Sequence, residues 1–158
     1  MTLPYRLNVG AVLFNRDGRV LVARRARGNA ASGAWQFPQG GIDEGEDPAV
    51  AVLRELAEEI GTDRATIVGE HPGWLTYDFP PDVQKTAMGG RYRGQRQRWF
   101  ALRFTGEEAD IRLDATPHQE FDAWRWIALS DATAIAPSFK RDVYAEVSRS
   151  FSRFAMPG

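Results

Sequence analysis

The chain has 158 residues, 43% of them hydrophobic, which suits a single domain with a substantial apolar core. A formal net charge of −1 gives no general attraction to DNA or to a membrane surface, and the absence of cysteine excludes disulfides and thiolate metal sites. The amino terminus MTLPYRLNVGAVLF lacks a cationic segment ahead of an apolar run, and no stretch approaches the roughly 20 apolar residues of a membrane span, so a cytoplasmic protein is expected.

No linker, repeat or low-complexity segment divides residues 1–158, which read as one domain. Residues 6–14 and 19–24 flank the turn-forming Asn15-Arg16-Asp17-Gly18 and predict a hairpin. Residues 26–34 are small and polar and read as a loop, followed by a short strand from Trp35 to Phe37 ahead of Pro38-Gln39-Gly40-Gly41. Asp47 suits an N-cap, Pro48 the first helical position and Gly61 a left-handed terminus, which sets a helix at 48–60. Residues 65–79 and 97–105 carry β-branched and aromatic side chains and read as strands, as does 122–128. Residues 138–154 show helical spacing at Phe139, Val143, Val147, Phe151 and Phe154. Strands interleaved with two main helices predict an α/β fold whose sheet is covered on both faces.

The helix at 48–60 carries the chemistry. At about 100° per residue, Glu55, Glu58 and Glu59 share roughly one third of its surface, while Leu53, Leu56 and Ile60 fall on the opposite side. Like charges at these spacings repel, by a few tenths of a kcal/mol per pair. Mg²⁺ or Mn²⁺ would offset that repulsion, because hard dications prefer oxygen ligands and bridge carboxylates to substrate phosphates. Arg54 sits at the border of the two faces, within reach of Glu46 in the preceding loop.

Gly40, five residues, Glu46, seven residues, then Arg54-Glu55-Leu56-x-Glu58-Glu59-x-Gly61 resembles the signature of the Nudix hydrolase family. One position departs, since the family usually ends this box on a bulky aliphatic residue and Thr62 stands here. The resemblance implies an α/β/α sandwich with a mixed sheet, and an Arg54 that orients the glutamates without touching substrate. Beyond the box, residues 5–25, 35–42, 94–102, 120–126 and 138–144 are similar to bacterial RNA pyrophosphohydrolases and dinucleoside polyphosphate hydrolases. That narrows the expected substrate to polyphosphate chains carrying nucleosides.

The same similarity makes Glu120, in a polar loop before Phe121, a candidate metal ligand or base, although Gln119 replaces a proline common in such proteins. Two arginine clusters, one at 24–27 and one at 91–98, suit phosphate recognition, and Arg96 and Arg98 share a face if their segment is a strand. Arg6 and Arg25 match positions near substrate, Tyr77 and Phe139 are candidate base-stacking rings, and Lys140 a candidate phosphate ligand. Trp35, Trp99, Trp124 and Trp126 are expected in the core. His71 and His118 are too isolated for a zinc site.

The expected reaction is hydrolysis of a phosphoanhydride by water. Two or three Mg²⁺ ions, or Mn²⁺, would be held by Glu55, Glu58, Glu59, Glu120 and the carbonyl at Gly40, with Glu55 or Glu120 accepting the proton of water. Two substrates fit. One is the 5′ end of triphosphorylated RNA, whose loss of pyrophosphate would mark a transcript for decay; the other is diadenosine tetraphosphate, cleaved asymmetrically. Other readings are a silent nucleotide-sensing or RNA-binding domain, which usually lacks a box glutamate, and a pyrophosphatase that sanitises nucleoside triphosphates, which shares the box but not the segments at 94–102 and 138–144.

Overall fold

The computed structural model describes residues 2–28 and 32–157; the part of the expected 26–34 loop at 29–31 lies outside them. In chain order the elements are β1 (Tyr5–Phe14), β2 (Val20–Arg25), β3 (Trp35–Gln36), β4 (Gln39–Gly41), α1 (Pro48–Ile60), β5 (Ala65–Glu70), β6 (Leu75–Asp78), α2 (Pro81–Gln84), β7 (Gly94–Phe104), β8 (Phe121–Ile127), α3 (Ala132–Ile135) and α4 (Arg141–Phe151). Among the described residues the eight strands form one mixed sheet. β1 and β7 run parallel at its centre, from Tyr5 opposite Gly94 to Phe14 opposite Arg103, and the other pairings are antiparallel.

Apolar layers cover both faces, which makes the expected α/β/α sandwich. On one face Val9, Ala11 and Leu13 of β1 and Phe100 and Leu102 of β7 pack against Val52, Leu56 and Ile60 of α1. On the other, Val12, Phe14 and Trp99 pack against Val143, Tyr144, Val147 and Phe151 of α4. Alternation along the pleat sends successive residues of one strand into different cores.

α1 has the bounds read from the sequence. Asp47 caps it through a hydrogen bond from the Ala49 amide at 2.9 Å, and Gly61 ends it at φ 79°, donating to the Ala57 carbonyl at 3.1 Å. Thr62 is buried behind that end, where its hydroxyl accepts the Arg64 amide.

Other expectations need correction. The turn after β1 closes on Asn15, whose side chain accepts from the Asp17 and Arg19 amides, but β2 leaves β1 after one pair, Phe14 with Val20, to join β3 and β8. Gln39–Gly41, given no strand in the sequence reading, is strand β4 beside β1, since a three-residue strand with two glycines carries no alternation to detect. The 65–79 stretch breaks at Gly73, φ 78°, into β5 and β6. β7 begins at Gly94, three residues before the expected start, because its inward polar residues hide the pattern. The last helix is α over Arg141–Phe151 with single 3₁₀ turns at Ser138–Lys140 and Ser152–Phe154. Trp99 is fully buried, while Trp35, Trp124 and Trp126 are half-buried at the edges of the cores.

Candidate active site

The box glutamates stand on α1 beside β4, and the chain comes very close to them there. A Cβ placed on Gly40 would lie 2.0 Å from the Glu55 carboxyl carbon, so only glycine lets the strand backbone reach that carboxylate. Gly41 leaves similar room for the Arg6 guanidinium, 2.3 Å from a hypothetical Cβ.

Arg54 organises the acids. It grips Glu46 with Nε and Nη2, both at 2.8 Å, gives Nη2 also to the Gly41 carbonyl at 2.8 Å, and reaches Glu55 at 2.9 Å and Glu58 at 3.3 Å through Nη1. The bidentate pairing holds the Glu46 carboxyl down to about 2. Arg54 thereby ties loop, strand and helix together with its own charge spent on carboxylates.

Glu59 is the exception on the charged face. It is only 7% exposed, and its Oε2 is buried without a hydrogen-bond partner. Burial, then the charges of Glu55 and Glu120, push its carboxyl well above the usual carboxylate range, and it hydrogen-bonds Glu55. Burial raises Glu55 too, against the pull of Arg54. The Arg54 guanidinium offsets part of the repulsion in this cluster, and Glu59 holds a proton more tightly than a free carboxylate would.

Glu120 joins it from across the fold. The pairing of β2 with β8 slips between Arg24 and Arg25, the Ala26 amide donates to the Glu120 carbonyl at 2.9 Å, and Arg25 Nη1 meets the Glu120 carboxylate at 2.9 Å. His118 Nε2 lies 3.3 Å from the same carboxylate. Glu55, Glu58, Glu59, Thr116, His118 and Glu120 line a cleft of about 300 Å³. Among the described residues, no three such side chains already close around one point as a ligand set. Like charges held apart by repulsion, with Arg54 on one side and Arg25 on the other, have no reason to converge.

The facing side is cationic and aromatic. Lys140, 7% exposed, lies 5.6 Å from the Tyr77 ring centre and 6.0 Å from that of Phe139, and burial together with the Arg25 charge pushes it down to about 8. Phe139 is half-buried. Tyr77 is 6% exposed, packed against Phe79 and Phe139 with its hydroxyl accepting from Gln95 at 2.5 Å, so its ring has no open face for a base and the stacking role expected of it does not fit. A tyrosine in a strand reads the same whether its face of the sheet is covered or open.

Sequence reading missed the buried polar ladder beside it. Gln97 donates to Asn8 at 2.8 Å and Gln39 at 3.1 Å and accepts from Trp99 at 3.2 Å, while Gln95 accepts from Arg6 at 3.3 Å. The available signal was the alternation Gln95, Arg96, Gln97, Arg98, Trp99, which puts both glutamines on the side of a core tryptophan. Arg96 and Arg98 do share a face, as expected, but the one opposite to Gln95.

Residues 4–147 match the NUDIX domain. The chain is 62% identical over 154 residues to an RNA pyrophosphohydrolase of Acidiphilium cryptum, covering 97% of this chain and 93% of that protein. It is 58% identical over 160 residues to an RNA pyrophosphohydrolase of Gluconacetobacter diazotrophicus, covering 98% and 96%. In fold it is similar to the dihydroneopterin triphosphate pyrophosphohydrolase of E. coli, with a TM-score of 0.67 at 22% identity over 93% of this chain and 99% of that one. No helix among the described residues is long and apolar enough to cross a membrane. Because the match runs through almost the whole chain and takes in the helix that carries the acidic cleft, this chain belongs to the Nudix family of hydrolases.

Proposed function

We propose that this protein hydrolyses a phosphoanhydride bond at the 5′ end of triphosphorylated RNA, releasing pyrophosphate, in a reaction that requires Mg²⁺ or Mn²⁺. The observation that carries the reading is the acidic cleft of Glu55, Glu58, Glu59 and Glu120 set against Arg25 and the buried cation Lys140. The names of relatives about 60% identical across nearly the full length support RNA as substrate.

The chemistry of the residues present suits divalent ions, and the proposed number is two or three. Glu59 has an unpartnered buried oxygen, Gly40 clears the backbone from Glu55, and the donor set is all oxygen. Glu55, Glu58, Glu59, Glu120 and the Gly40 carbonyl would hold them. Bound dications would neutralise the polyphosphate and lower the pKa of the attacking water.

The protein's own groups do the rest. Arg54 fixes Glu55 and Glu58 in place. Glu55 or Glu120 accepts the proton of the attacking water. Arg6, Arg25 and Lys140 bind phosphate oxygens, and Phe139 stacks the first base. Positioning and charge neutralisation supply most of the rate, because phosphoryl transfer needs little covalent help.

The test offers 5′-triphosphate RNA and diadenosine tetraphosphate side by side with Mg²⁺ and compares kcat/KM for wild type, Glu58→Gln and Glu59→Gln. We expect pyrophosphate release from RNA at the higher kcat/KM, and a loss of more than about 100-fold in both variants with unchanged circular dichroism. Near-normal turnover by either variant at saturating Mg²⁺ would refute the metal assignment. Turnover of the dinucleotide without RNA hydrolysis would move the substrate to dinucleoside polyphosphates.

A further inference from the structure

The sheet face that carries α1 is not fully covered. Beyond the end of the helix it exposes an ordered patch that none of the groups named for the reaction uses. Trp74, half-buried just before β6, has two guanidinium groups beside it: Arg96 and Arg98 each stand 5.4 Å from its ring centre. Arg93 stacks 4.6 Å over the Tyr5 ring. Leu7, between these two stacks, is 46% exposed.

Register shows how the patch meets the catalytic cleft. Leu7 of β1 is opposite Arg96 of β7, and Arg96 is opposite Thr76 of β6. On the other side of β1, the Ile42 amide donates to the Leu7 carbonyl at 3.1 Å. Ile42, Leu7, Arg96 and Thr76 therefore form a row across the sheet, one strand spacing of about 4.8 Å apart. One row over, Gly40 is opposite Val9 and Val9 opposite Arg98, which puts Arg98 about 10 Å, two strand spacings, from the glycine that faces Glu55. A cleft of about 460 Å³ opens along this path; Arg6, Leu7 and Tyr5 line it on the strand side and Asp43, Glu44 and Glu55 on the acidic side.

We propose that this patch binds single-stranded RNA downstream of the 5′ end, its bases stacking on Trp74 and its phosphates meeting Arg96 and Arg98. The proposal rests on RNA being the substrate. Rings alternating with planar cations are the chemistry that takes stacked bases and a phosphate backbone without reading sequence. Arg98 is bridged to Glu70 and Arg93 to Asp78, whereas exposed Arg96 has no ion pair among the described residues. The cluster is therefore net cationic in a chain of net charge −1. The row leads out of the cleft at Leu7, on the side of Glu55, so a strand whose 5′ phosphates sit at the acids can continue over it.

The test measures fluorescence anisotropy of a 5′-hydroxyl RNA of about 12 nucleotides, with Mg²⁺ present, against wild type, Trp74→Ala, Trp74→Phe and Arg96→Ala. It also compares kcat/KM on a 5′-triphosphate dinucleotide with that on the 12-nucleotide triphosphate. We expect Trp74→Ala and Arg96→Ala to weaken RNA binding about tenfold, Trp74→Phe to restore most of it, and the variants to lose kcat/KM only on the long substrate. Added salt should weaken wild type more steeply than Arg96→Ala. Equal affinities in wild type and Trp74→Ala would overturn the proposal, as would an equal loss on the short and long substrates. Because the anisotropy probe has no triphosphate, binding that depends on Trp74 in a protein inactive on RNA ends would refute the substrate reading and leave the surface standing.

Discussion

Glu59 is a buried carboxylate with one oxygen unpartnered, and by itself it is costly to the fold. Its carboxyl is pushed up by burial, so the native state holds the proton more tightly than the unfolded chain. The stability it contributes is complete below its ordinary value of 4.5 and is lost as pH rises through the folded value. In metal-free protein at pH 7, Glu59→Gln should therefore raise Tm, even though the same variant is expected to lose its activity with Mg²⁺. Calorimetry in chelator at pH 4 and pH 7 checks this, with the gap expected to shrink at the lower pH. Gly40→Ala should do the converse. Its Cβ collides with the far end of a flexible side chain, so Tm should fall by only a few degrees while displacement of Glu55 lowers kcat/KM more than about 100-fold.

At the scale of elements, α1 depends on its two ends. Asp47→Ala removes the acceptor of the Ala49 amide and should cost about 1 kcal/mol in urea unfolding. Gly61→Ala should cost more, because a left-handed backbone at φ 79° disfavours any Cβ by roughly 1–2 kcal/mol and this one would also lie 2.5 Å from the Arg112 carbonyl oxygen. Both variants loosen the helix that carries the glutamates, so activity at limiting Mg²⁺ should fall before the fold melts. β7 is the other decisive strand. Its alternation divides the molecule into a glutamine side that braces Gln39 and Arg6 and an arginine side that stacks on Trp74.

Across the whole molecule, a buried hydrogen bond ties the segment ahead of β4 to the opposite layer. The Tyr144 hydroxyl, fully buried on α4, accepts the Phe37 amide at 2.9 Å just ahead of β4. Tyr144→Phe leaves that amide unpaired and should cost about 1–3 kcal/mol in denaturant unfolding. A smaller effect on kcat/KM should follow, since β4 carries Gly40. A cleft of about 560 Å³ between Gly18, Leu129, Ser148 and Arg149 has none of the four acids on its walls.

The box could be read in the sequence because its residues are close in the chain and helical geometry alone puts Glu55, Glu58 and Glu59 on one face. Asp47, Pro48 and Gly61 fixed the ends of α1 for the same reason: caps are local chemistry. Burial is not local. Whether Tyr77 offers a ring face or fills a core, why Glu59 loses its solvent and its neighbour Glu58 does not, and how Glu120 reaches α1 depend on which strands lie beside each other. The parallel pairing of β1 with β7, the strand at Gln39–Gly41 and the slip between β2 and β8 are contacts between distant segments, and only the folded chain brings them together.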